Sequence, residues 1–107
     1  MAIFANFAYL NKTITQMIRL NCFIRVDAAK RDALVAAARE LVEKSLTDEG
    51  CIAYDLFESA TRPDVLMICE TWRDQAALDA HAASAHFTRL VPLMQSMAEL
   101  SIEQFDC

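Results

Sequence analysis

Glycine is nearly missing: the sequence has one in 107 residues, beside two prolines. Phosphate-cradling loops need several glycines, so nucleotide binding through a Rossmann or P-loop motif is excluded. Collagen-like and low-complexity classes go for the same reason. Basic residues are also scarce. Ten Lys and Arg face fifteen Asp and Glu, a formal charge of -5. Binding to nucleic acid draws on cationic side chains that neutralise phosphates, so a polyanion partner is not expected. No apolar run nears the ~20 residues of a membrane span. The opening residues lack the basic region and small-residue cleavage site of a secretory signal. The four cysteines (22, 51, 69 and 107) form no C-x-x-C pair. A disulfide framework would suit a small secreted domain short of core, but 55% of this chain is apolar. Buried free thiols in a cytoplasmic, reduced protein are the expectation, and the length argues for a single domain.

Residues 1–16 carry Phe4, Phe7 and Tyr9 with no clean period, and read as an N-terminal extension to a domain over residues 17–107. From Met17 to Val26 the residues Ile18, Leu20, Cys22, Ile24 and Val26 alternate with Arg19, Asn21, Phe23 and Arg25. Period two of this kind predicts a half-buried strand. Asp27 is placed to cap a helix over Ala28–Leu46, with Leu34, Ala38, Leu41, Val42 and Ser45 on its inner face and Gly50 near its end. Two strands, Cys51–Glu58 and Val65–Trp72, flank a polar loop containing Pro63. Asp74 should cap a short helix to about Ala82, and Ser84 a second one, with a kink or restart at Pro92. Leu100–Phe105 closes the chain as a fourth strand. The order β-α-β-β-α-β, with helices on one face of an antiparallel sheet, predicts a ferredoxin-like α+β fold. Both faces of the sheet carry apolar residues, which points to a homodimer formed through sheet faces.

Three stretches carry a resemblance. Glu49-Gly50-Cys51 leads to Tyr54-Asp55, Glu70 precedes Trp72 by two, and His81 precedes the pair His86-Phe87 by five. In this order the chain resembles the antibiotic biosynthesis monooxygenase family over roughly Met17 to Phe105. The resemblance implies a dimeric α+β barrel and a cofactor-independent oxidation, by dioxygen, of a small phenolic or quinol-type aromatic to a quinone. An isomerase acting on a small polar metabolite, or a non-catalytic ligand-binding or stress-associated module, are the alternatives on the same fold. Haem-degrading relatives place an axial His four residues after a Phe equivalent to Phe87. Here that position is Val91.

Such an oxidation needs a titratable group, neutral donors and dry apolar walls. His81 and His86 are the only histidines, and imidazole suits proton transfer near neutrality. Each can equally serve the local turn or helix start. Trp72 offers a ring face and one N–H, or is simply a core or interface aromatic. Asn21 resembles the strand-one Asn of family oxygenases, and can equally be a structural amide. Phe87, Tyr54 and Phe23 are candidate substrate contacts. Glu70, on one strand face with Trp72, is either a desolvated carboxyl of raised pKa or the partner of Arg19 or Arg25. A metal is not expected: a five-residue separation does not stack two imidazoles on one helix turn, and no cysteine lies at ligand spacing.

Overall fold

Residues 16–107 are described by the structure, a computed structural model; the expected N-terminal extension, except for Gln16, lies outside them. Four strands form one antiparallel sheet: β1 (Ile18–Val26), β2 (Cys51–Glu58), β3 (Val65–Trp72) and β4 (Ala98–Asp106), in the order β2-β3-β1-β4. Three helices, α1 (Arg31–Ser45), α2 (Gln75–Ala82) and α3 (Ala85–Met97), complete the βαββαβ order of the ferredoxin-like fold.

The period-two pattern of β1 decides which face meets the helices. Ile18, Leu20, Cys22, Ile24 and Val26 are all buried, and β1 pairs with β3 so that Leu20 stands opposite Glu70 and Ile18 opposite Trp72. Adjacent paired residues share a face. Leu66, Ile68, Glu70 and Trp72 of β3 therefore lie under the helices, against Leu34, Ala37, Ala38 and Leu41 of α1 and Leu90 and Met94 of α3. Each fully buried aliphatic side chain contributes about 1.5–3 kcal/mol. The other face carries Phe23 and Phe57, 42% and 49% exposed, around the half-buried Val65, Met67 and Cys69. The sheet is thus apolar on both faces, as its sequence suggested. All four cysteines are free thiols.

Several boundaries differ from expectation. Asp27 makes no side-chain cap; its carbonyl accepts from Lys30 N–H, so a single 3-10 turn (Ala28–Lys30) precedes α1. Gly50 does not end α1, which stops at Ser45. It closes the following turn instead, at φ +80°, where a Cβ would sit 2.4 Å from Ala77 Cβ. Only glycine both adopts that backbone readily and lets the first turn of α2 come so close. Asp74 and Ser84 cap α2 and α3 as expected, accepting from Ala77 N–H and Phe87 N–H. α3 runs through Pro92 without a restart, because Pro92 lies on the exposed side where water can satisfy the carbonyl it leaves unpaired. β4 starts directly at the end of α3, two residues earlier than predicted.

Candidate functional site

The tight packing of Gly50 against α2 sets the site. The turn after α1, held by Asp48 N–H to Ser45 O and Cys51 N–H to Asp48 O, brings Asp48 beneath the C-terminal end of α2. There the chain breaks between helices at Ala83 and Ser84, with Ser84 Oγ donating to His81 O at 2.6 Å. The break reorients the chain between the two histidines. His81 Nδ1 and His86 Nε2 each lie 2.8 Å from the same oxygen, Asp48 Oδ2. A five-residue separation keeps two imidazoles apart only within one continuous helix; across the break that the Ser84 cap makes, they converge.

His81 is 2% exposed. Its ring lies 4.5 Å from that of Trp72, 5.1 Å from Phe87 and 5.4 Å from Tyr54, measured between centroids. Burial pushes its imidazole below the ordinary histidine range; hydrogen bonding and attraction from Asp48 oppose this, and His86 adds slightly to the lowering. The ring is accordingly neutral at neutral pH. A carboxylate can only accept, so the hydrogen-bond pattern assigns the proton to Nδ1. Nε2 is then a bare lone pair, and it is buried with no hydrogen-bond partner among the described residues.

Beside this group lies a second polar island. Trp72 Nε1 donates to Glu70 Oε1 at 2.7 Å inside the core. Burial raises the Glu70 carboxyl from 4.5 to about 6, with hydrogen bonding from Trp72 and then Tyr54 pulling it partly back. Burial above all, then the Glu70 charge, raises the Tyr54 phenol well above its usual range. The Ser45 hydroxyl, beside Tyr54, is buried without a well-formed hydrogen bond. The ion pair considered for Glu70 is not formed: Arg25 reaches Asp64 and Glu99, and both Arg19 and Arg25 project from the opposite face of the sheet.

The structure therefore gathers His81, His86, Trp72, Phe87, Tyr54 and Glu70 on the helix side of the sheet. It does not bring Asn21 or Phe23 to them. Asn21 stands opposite Cys69 on the outer face and donates to Glu103 Oε1 at 2.9 Å. Phe23 shares that outer face. Asp48 is the residue sequence reasoning missed. No local pattern marks it, because its partners lie 33 and 38 residues away.

The sequence model of the family described as Antibiotic biosynthesis monooxygenase matches residues 17–93. The chain belongs to this family. Among curated relatives, the Bacillus subtilis (strain 168) protein named "Putative monooxygenase YcnE" is 37% identical over 75 residues, 70% of this chain and 79% of that protein. Among solved structures, a conserved Bacteroides thetaiotaomicron protein of unknown function, described as "Possible Oxidoreductase", is 50% identical with a TM-score of 0.86, over 87% of this chain and 99% of that one. A structure described as an antibiotic biosynthesis monooxygenase is 35% identical with a TM-score of 0.78, over 84% of this chain and 97% of that one. The family is the one that the motifs around Gly50, Trp72 and His86 resemble, and the likeness to these structures agrees with the ferredoxin-like fold expected from the element order. No helix among the described residues is long and apolar enough to cross a membrane.

Proposed function

We propose that this protein is a cofactor-independent monooxygenase that uses dioxygen to convert a small phenolic or quinol-type aromatic into a quinone. The observation that carries the reading is the bare, buried Nε2 of His81, held in one tautomer by Asp48 and walled by Trp72, Tyr54 and Phe87. Names given to relatives support the same class of reaction.

A substrate hydroxyl brought to Nε2 gives up its proton, and Asp48 stabilises the imidazolium that forms, as an orienting carboxylate does in hydrolytic triads. His86, on the same Asp48 oxygen, spreads that charge and serves as the exit for the proton. The phenolate is electron-rich enough to reduce dioxygen itself. A new carbon–oxygen bond forms at a ring carbon, the O–O bond breaks, one oxygen atom stays on the ring and the other leaves as water; a phenol thereby gains its second quinone carbonyl, and a quinol becomes a hydroxyquinone. The substrate supplies all the electrons, so neither flavin nor metal is required. Trp72 and Phe87, which pack on His81, wall the substrate ring together with Tyr54, and Glu70 holds the Trp72 indole and the Tyr54 hydroxyl in place.

Under the same proposal two copies associate through the outer sheet face, burying Phe23 and Phe57, in a cytoplasmic setting that keeps the four thiols reduced. Oxygen uptake with a panel of hydroquinones and dihydroxynaphthalenes tests the chemistry. Turnover is expected above buffer autoxidation and is expected to fall at least about 100-fold in His81→Ala, the usual weight of a general base. Turnover that continues without oxygen would establish an isomerase instead; no turnover across the panel would remove the oxidation.

A further inference from the structure

We propose that Asp48, His81 and His86 form a binding site for a late first-row divalent cation, with Zn(II), Co(II) and Cu(II) the ions it takes best. Two imidazole nitrogens and one carboxylate oxygen form a donor set of borderline softness, which suits these ions and disfavours Mg(II) and Ca(II), whose shells are built of oxygen. The three donors come from separate pieces of chain: the turn after α1, the end of α2 and the first turn of α3. Their ligand atoms all lie within 4.8 Å of one another, the one such cluster among the described residues.

The geometry is that of a cation site occupied by protons. His81 Nδ1 and His86 Nε2 each stand 2.8 Å from Asp48 Oδ2 through a hydrogen bond. Tetrahedral zinc, with bonds of about 2.0–2.2 Å, holds its donors about 3.3 Å apart. Replacing the two bridging protons by one ion asks each nitrogen to move by no more than about 1.5 Å. Two of the three groups are already held. His81 is wedged against Trp72 and Phe87, and Asp48 is fixed by the turn that Gly50 closes. Asp48 and His86 keep part of their surface exposed whereas His81 does not, so the ion enters, and its fourth position opens, on the Asp48–His86 side.

An ion on Nδ1 obliges a neutral His81 to carry its remaining proton on Nε2, turning the buried acceptor into a donor. Proton-bridged and metal-bridged forms are then exclusive states of one site, and the metal form lacks the base. This last consequence rests on the proposed monooxygenase reading; cation binding itself does not.

The test uses the full chain stripped of metal with a chelator and titrated with Co(II), with Zn(II) as competitor. One saturable site per chain is expected. It should show tetrahedral d–d absorption without a thiolate-to-cobalt charge-transfer band, and be displaced by Zn(II). Asp48→Asn and His86→Gln should each weaken it at least tenfold, far-ultraviolet circular dichroism confirming that each variant is folded; should one variant fail to fold, the other carries the comparison. Lack of a saturable site, a thiolate band, or affinity unchanged in a folded variant overturns the proposal. Zn(II) should also stop quinol turnover, reversibly on chelation. If metal-free protein turns over no quinol, the monooxygenase reading fails while the Co(II) titration still decides the site.

Discussion

Replacing Glu70 with glutamine isolates the energetic cost of a charge inside the core. Glu70 is 8% exposed and its carboxyl is raised from 4.5 to about 6. A raised folded-state pKa means that the native protein holds the proton more tightly than the unfolded chain. The stabilisation from the protonated group is complete below pH 4.5 and is lost as the pH rises through 6. One and a half pH units at 1.36 kcal/mol each give about 2 kcal/mol. Glutamine keeps an oxygen for the Trp72 N–H but does not titrate. The stability of Glu70→Gln relative to the parent should therefore rise by about 2 kcal/mol between pH 4.5 and pH 7. Urea unfolding of both proteins at matched pH measures this directly, and subtraction removes groups common to both, including His81, whose lowered pKa works in the opposite sense. Trp72 is the one tryptophan and donates to Glu70 itself. Its fluorescence should carry a titration step near pH 6 in the parent that the variant lacks, whereas any step from the stacked His81 is common to both. A stability difference that stays constant from pH 4.5 to 7 would refute the claim that Glu70 ionises within the core.

Two further outcomes follow from packing. Gly50→Ala combines a positive φ with a Cβ 2.4 Å from Ala77 and should cost about 2–4 kcal/mol, read as a lower urea midpoint at unchanged m-value. Phe23→Glu or Phe57→Glu, on the outer sheet face, should shift sedimentation from dimer to monomer while the helix content holds; a parent that sediments as a monomer would leave that face without its proposed partner.

How far the sequence led depends on whether a residue's place is set locally or by distant chain. Strands β1 and β3 were legible because alternate residues must face alternate sides, and the buried stripe from Ile18 to Val26 appears in the composition itself. The same parity places Asn21. It stands out of phase with that stripe and so had to face away from the helices, whatever its likeness to a family position. The caps at Asp74 and Ser84 were legible because a capping side chain meets backbone only three residues on. Asp27 has the right residue type but lost to a 3-10 turn, a choice between two local hydrogen-bond patterns that composition does not settle.

The site itself is a different kind of object. His81 and His86 could be named as the only imidazoles, but whether five residues bring them together or apart depends on the two residues that interrupt the helix. A continuous helix would turn the rings about 140° from one another at 100° per residue. The break at Ala83 and Ser84 instead lets Asp48, delivered by a turn more than thirty residues earlier, take both nitrogens on one oxygen. That turn is in place because Gly50 has no side chain to hold α2 away. The single glycine whose scarcity excluded nucleotide loops is thus what lets the carboxylate reach the imidazoles, and a side chain at position 50 should disturb the Asp48–His81 contact before it disturbs any strand of the sheet.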